Sequence, residues 1–264
     1  MTERVQIALD GHVAVVTLNR PDKHNAIDLE MFDEIAAAAG RVGSERGIRA
    51  AVLRGAGQSF CSGIDLAALM AAESMGASVE AELRAAVPNR FQRAACEWVT
   101  LPMPVIAAIH GNCLGAGLQI ALGADIRIAA PGARLAVLEA KWGLIPDMAI
   151  TQTLPRLVGI DVARELTYTA RPFSGEEAAA LGVVTRVAEE PFEAALTLAH
   201  EIATRSPDAV RAAKRLWAES WIDSPASALA REAASQRQLI GSRNQLAAVA
   251  AGLSGEPPRF TDPV

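Results

Sequence analysis

The chain has 264 residues, 51% of them hydrophobic, with a formal charge of −5 and three cysteines. That length supports one large domain or two small ones around a substantial core. Interspersed charges argue against a general nucleic-acid surface, while local arginines still allow a small bound anion. No apolar run approaches the roughly 18 to 20 residues that span a bilayer. The opening MTERVQIALDGHVAVV reads as strand and not as a signal peptide, so a cytoplasmic protein is expected. Cys61, Cys96 and Cys113 show neither CxxC spacing nor a companion histidine cluster, which favours reduced thiols over a disulfide framework or a zinc site.

Residues 5 to 18 hold two alternating runs, VQIAL and VAVVTL, joined by Asp10-Gly11, which predicts a hairpin. After a loop marked by Pro21 and Asn25, Met31, Ile35, Ala39 and Val42 repeat on one helical face beside Phe32, with Asp28 as N-cap. The run 48 to 54, IRAAVLR, predicts a strand covered on both faces. Gly55, Gly57 and Gly63 end it in a loop, and a helix is expected from Ile64 to Met70, leaving the Ile64 N–H unpaired near a helix N-terminus. Residues 71 to 90 have weak periodicity and suit a lid.

Further strands are expected at Val105 to Ile109, Ile126 to Ala130 and Leu135 to Val137. Ser174, Glu177 and Gly182 frame a short helix with a capping box and a glycine stop, before the strand VVTRV. Ser206-Pro207 and Ser224-Pro225 each open a helix, and Ala-rich helical sequence runs to about residue 251. Leu216, Trp217 and Trp221 on this last part are expected to pack on the core or on a sister subunit.

The chemistry concentrates in 105 to 147. Gly111, Gly115 and Gly117 do not form a dinucleotide fingerprint, because Ile120 stands where the third glycine belongs. No histidine sits beside a GxSxG elbow, so a Ser-His hydrolase is disfavoured, and His110 reads as a strand-end residue bonded to backbone. Two strand-to-helix turns, at Gly63-Ile64 and Gly115-Ala116, can each offer one backbone N–H, and such a pair stabilises the negative oxygen of an enolate. That points to chemistry α to a carbonyl, with a thioester as the natural substrate. Glu139 and Asp147 would move the proton, unless they are spent in ion pairs with Lys141, Arg134 or Arg156.

The stretches RPDKHNAI, SFCSGIDL, PVIAAIHGNCLGAGLQIALGADIRIAA, LEAKWGLIPD and YTARPFSGEEAAALGVVTRV, in this order, resemble the crotonase superfamily of enoyl-CoA hydratases and isomerases. SGIDL, IAAIHG, Asp147 and YTAR look most like Δ3,5-Δ2,4-dienoyl-CoA isomerases. The resemblance implies an α/β spiral of ββα turns over residues 1–200, a helical packing or oligomerisation region over 201–264, and a homotrimer or homohexamer. It implies an acyl-CoA substrate, no nucleic-acid or membrane partner, no metal and no cofactor beyond the CoA of the substrate. It assigns the oxyanion hole to the Ile64 and Ala116 N–H groups, and CoA binding to Lys23, Asn25, Ala26, Ser62, Gly63, Asp65, Leu66, Gly115 and Gly117. Glu139 falls on the family's second catalytic glutamate and Asp147 on the isomerases' aspartate.

Gln119 departs from the pattern. A hydratase has its first glutamate there and a dienoyl isomerase an aspartate, and an amide cannot accept and return a proton at neutral pH. Hydration uses two carboxylates around one water, whereas a double-bond shift needs only a proton lifted from one carbon and delivered to another. The expectation is therefore an isomerase in which Gln119 orients substrate or water. A 2-enoyl-CoA hydratase using Glu139 alone and a weakly catalytic CoA-thioester- or RNA-binding paralogue stand as alternatives.

Overall fold

The computed structural model describes residues 3–67 and 75–263. Strands β1 (Val5–Asp10) and β2 (Val13–Leu18) form the antiparallel hairpin. Its register pairs Asp10 with Val13, so the turn residues are Gly11 and His12, one position later than expected, with Gly11 at φ +57°. Helix α1 (Leu29–Ser44) starts at the Asp28 cap, whose Oδ1 accepts the Met31 N–H at 2.9 Å, and it buries Met31, Phe32, Ile35, Ala39 and Val42.

Strands β3 (Ala50–Gly55), β4 (Val105–Ile109), β6 (Ile126–Ala129) and β9 (Arg186–Val187) extend the hairpin into a six-stranded sheet of order β1-β2-β3-β4-β6-β9, parallel from β2 onward. The central strands are buried on both faces, and their side chains divide with period two. Ala51, Leu53, Ala107 and Ile109 face the main core, whereas Ala50, Val52, Ile106 and Ala108 meet Ala195 and Ala199 of α8 (Pro191–Ala203). The stretch VVTRV gives only the two-residue β9.

A second, smaller sheet joins β5 (Asn112–Leu114), β7 (Arg134–Ala136) and β8 (Phe173–Ser174). Parallel bridges at Cys61↔Cys113 and Ile27↔Ile64 continue it on the other side of β5. Each long strand is thus followed by a short one in a second layer: β3 by residues 61–64, β4 by β5, and β6 by β7. This repeated step is the expected spiral. Sequence periodicity missed β5 because three residues are too few to show alternation.

The chain also forms α2 (Met75–Ala85), α3 (Arg90–Thr100), which packs on α1, and α4 (Ala116–Leu122), which follows β5. Of the lid expected over 71 to 90, residues 71–74 lie outside the described residues and 75–85 are helical. Farther on, α5 (Ile150–Thr153) and α6 (Ile160–Thr169) precede α7 (Gly175–Leu181). The α7 cap differs in one respect from the expected box. Ser174 accepts the Glu177 N–H at 3.0 Å, but the Glu177 carboxylate pairs with Arg171 at 2.7 Å instead of returning to Ser174.

Helices α9 (Pro207–Ser220), α10 (Pro225–Leu239) and α11 (Arg243–Ser254) form the C-terminal region. The first is tied to the core by polar contacts: Lys214 Nζ reaches Asp125 at 2.7 Å and the Met103 carbonyl at 3.0 Å. Trp217 and Trp221 nonetheless face outward, with Ile222, Leu229, Ile240 and Leu253 also exposed. Among the described residues no helix is long and apolar enough to cross a membrane.

Candidate active site

The two glycine turns come together. Gly63 has φ +96°, and a Cβ built there would lie 3.0 Å from the Leu114 carbonyl oxygen and 4.0 Å from the Ala116 nitrogen. Gly115 sits at φ 52°, ψ −119°, a region open to glycine, and turns the chain from β5 straight into α4. Ala116, as the first helical residue, has no intrahelical acceptor for its N–H.

Ile64 is not helical as expected, and the described part of that helix starts at Leu66. Its N–H is freed in another way. In the bridge to Ile27, the Ile27 N–H donates to the Gly63 carbonyl and the Asp65 N–H donates to the Ile27 carbonyl, each at 2.9 Å. A parallel bridge of this kind leaves the polar groups of Ile64 itself on the opposite edge. Ile64 and Ala116 both line a cavity of about 100 Å³, with Ser62, Gly63, Leu66, Gly115, Leu138, Glu139, Trp142 and Leu144.

Glu139 opens a 3-10 turn, Glu139–Trp142, that Gly143 ends in the left-handed region. Its carboxylate lies over Gly115, where a Cβ would come within 3.1 Å of Oε1. Oε1 accepts from Gln119 Nε2 at 2.7 Å, and Oε2 is buried with no hydrogen-bond partner among the described residues. Burial pushes the Glu139 carboxyl above its ordinary range, and the charge of nearby Asp147 adds to that, against the lowering effect of backbone and Gln119 hydrogen bonds. Burial also raises half-buried Asp147. Neither acid forms an ion pair among the described residues: Lys141 lies over the Trp142 ring at 5.4 Å and Arg156 over Trp221 at 5.7 Å. Two partly buried acids with no ion-pair partner among the described residues, beside two N–H donors, can move protons next to a developing oxyanion.

The remaining sequence candidates do not line this cavity. Lys23 is exposed, and its carbonyl accepts from Ser62 Oγ at 3.3 Å. Asn25 is fully buried, and its side chain braces the loop after β3 by donating to the carbonyls of Ala56, Ser59 and Phe60. Ala26 follows it on the same loop, and its N–H donates to the Lys23 carbonyl at 3.0 Å. Asp65 pairs with Arg20 at 3.1 Å. Gly117 is pressed against Cys61, Gln119 stands behind Glu139 as its hydrogen-bond partner, and Asp147 is near enough for its charge to raise the Glu139 carboxyl. His110 Nε2 bonds to the Gly57 carbonyl at 2.9 Å, as a strand-end residue would. Sequence reasoning overlooked Leu138, Trp142 and Leu144 as walls. Their signal was an apolar residue on either side of a glycine, Trp142 and Leu144, in a segment too short and exposed to be core.

A family model described as enoyl-CoA hydratase/isomerase matches residues 9–258. The chain belongs to the crotonase superfamily. It is therefore an enoyl-CoA hydratase/isomerase-family enzyme. It is 38% identical over 210 residues to a probable enoyl-CoA hydratase of Mycobacterium tuberculosis, covering 80% of this chain and 79% of that one. To the mitochondrial Δ3,5-Δ2,4-dienoyl-CoA isomerase of Mus musculus it is 35% identical over 222 residues, covering 80% and 68%. The solved enoyl-CoA hydratase of Bacillus anthracis superposes with a TM-score of 0.90 at 31% identity, over 97% of this chain and 98% of the other. The crotonase likeness thus spans the spiral and the C-terminal helices alike.

Proposed function

We propose that this crotonase acts on an unsaturated acyl-CoA thioester and shifts its double bonds, in the manner of a dienoyl-CoA isomerase. The thioester oxygen receives the Ile64 and Ala116 N–H groups. One of the two acids, Glu139 or Asp147, lifts a proton from carbon, and the electron pair passes into the carbonyl to give a dienolate held by those donors. The other delivers a proton at a different carbon as the electrons return. Atoms balance without added water, and the reading calls for no cofactor beyond the CoA that the substrate carries. Ser62, Gly63, Leu66 and the loop Lys23 to Ala26 are assigned to the CoA side of the site.

The observation that carries this reading is the state of Gln119. Its amide is bonded to Glu139 Oε1 and to the Met148 N–H, so no second carboxylate from α4 is available to share a water with Glu139. The pair left is Glu139 with Asp147, neither in an ion pair among the described residues and both raised by burial. Association into trimers or hexamers is proposed through the outward face of Trp217, Trp221 and Leu229.

Purified enzyme is expected to convert 3,5-dienoyl-CoA to the 2,4-isomer, followed by the absorbance of the newly conjugated thioester. Glu139→Gln should lower that rate roughly 100-fold or more, the usual contribution of a positioned proton carrier. Hydration of crotonyl-CoA at an ordinary enzymatic rate, with no dienoyl turnover, would replace the isomerase by a hydratase relying on Glu139 alone.

A further inference from the structure

Gln119 is 1% exposed and stands behind the cavity wall. Its orientation follows from its surroundings. The Met148 N–H can only donate, so the atom 2.8 Å from it is the amide oxygen, and the –NH₂ group must face Glu139 Oε1 at 2.7 Å. The side chain is therefore tied at one end to the first acid and at the other to the peptide that follows the second, Asp147. Turning it toward a ligand would strand a buried carbonyl oxygen or N–H. On the Glu139 side, Oε1 lies over Gly115, in space that a Cβ there would narrow to 3.1 Å. Oε2 is buried and has no hydrogen-bond partner among the described residues.

Resting on the isomerase reading, we propose that Gln119 is a positioning residue that clamps Glu139, dedicating Oε2 to carrying the proton while holding Asp147 in register, and that it does not bind substrate. The clamp also sets the protonation of Glu139. An N–H directed at Oε1 favours the ionised carboxylate and so opposes the upward push of burial. Without that N–H, burial would act on the acid unopposed by Gln119, and the carboxyl would hold its proton more tightly.

The test uses two variants of the intact enzyme. Gln119→Leu removes both hydrogen bonds at similar volume. It should lower kcat roughly ten- to hundredfold, the effect of losing a hydrogen bond to a charged group, and leave KM within about twofold. The acid limb of its pH profile should move to higher pH. Gln119→Glu keeps an acceptor for the Met148 N–H but sets a second carboxyl against Glu139, and its acid limb should rise by roughly one unit or more. If Gln119→Leu does not fold, Gln119→Glu decides.

A parent-like kcat and acid limb in a folded variant would overturn the clamp. So would a raised KM at unchanged kcat, which marks a substrate-binding amide. If the parent proves not to isomerise, the reaction reading falls separately, and the clamp is judged without activity. A carbon-13 carboxyl titration, with the Glu139 signal assigned by its loss in Glu139→Gln, should then move to higher pH in Gln119→Leu. An unmoved titration would refute it.

Discussion

Replacing Gly117 by alanine tests the joint on which both N–H donors depend. In an unobstructed helix this change is favourable by about 0.5–1 kcal/mol, because glycine loses more backbone entropy on folding. Gly40 in α1 is such a case, with nothing within 4 Å of a built Cβ. At Gly117 the same methyl would lie 2.5 Å from the Cys61 carbonyl oxygen, 2.7 Å from its Cβ and 2.9 Å from its Sγ. Cys61 cannot retreat easily. Its N–H donates to the Asn112 carbonyl at 2.9 Å, its carbonyl accepts the Leu114 N–H at 3.0 Å, and its thiol lies 3.1 Å from the Asn25 carbonyl oxygen. Backbone must therefore move, at the roughly 1–3 kcal/mol of an overpacked core. At about 2–4 °C per kcal/mol for chains near this size, Gly117→Ala should lower the thermal midpoint by several degrees while Gly40→Ala raises it by roughly 1–4 °C. Because α4 carries Ala116, the movement should also reduce kcat/KM in Gly117→Ala alone. A Gly117→Ala protein as stable and active as the parent, measured beside Gly40→Ala, would refute the packing argument.

Asn25→Ala should cost about 2–4 kcal/mol in urea denaturation, since it strands the Arg20 N–H and three carbonyls in a buried loop; an unchanged midpoint would mean that water replaces the amide. Glu139→Gln should stabilise the protein at neutral pH even as it loses activity. Burial holds the native carboxyl above its ordinary 4.5, so between that value and the native one the folded chain keeps a proton that the unfolded chain has released. Stability falls as pH rises through this window, and the penalty persists above it. The gain in thermal midpoint over the parent should be present at pH 7 and absent near pH 4, and a gain independent of pH would place its origin elsewhere.

The architecture was legible wherever residues carry period or punctuation. Asp28, Ser174, Ser206 and Ser224 all cap the helices their positions announced. The run of β3 reads as doubly buried because Ala50 to Leu53 has no polar face to offer water. What was not legible depends on contacts between distant segments. Nothing in VVTRV distinguishes a two-residue edge strand from a longer one, because its partner β6 lies almost sixty residues earlier and pairs only through Ile128 and Ala129. The helix expected from Ile64 failed for a similar reason: Ile27, far back in the chain, captures Gly63 and Asp65 before the helix can begin. Gln119 was visible as an anomaly, yet its partners were not, since Met148 and Glu139 reach it across separate loops.

The stretch RPDKHNAI, which looked like part of the ligand path, carries a structural task that explains why the site holds together. Asn25 ties down the carbonyls of Ala56, Ser59 and Phe60, and Ile27 fixes Gly63 and Asp65 on the next turn of the spiral. Cys61 between them pairs with Cys113, and Gly117 rests on Cys61. The Ile64 N–H and the Ala116 N–H are thus set relative to each other by one continuous seam running from Asn25 to α4. An oxyanion hole built from two chain segments needs such a seam, because each donor must already point at the charge before it forms, and a mobile turn would spend the gain on ordering itself. Mutations along the seam should therefore lower kcat while leaving the acids untouched, which separates them from Glu139→Gln: their pH profiles keep the parent's acid limb.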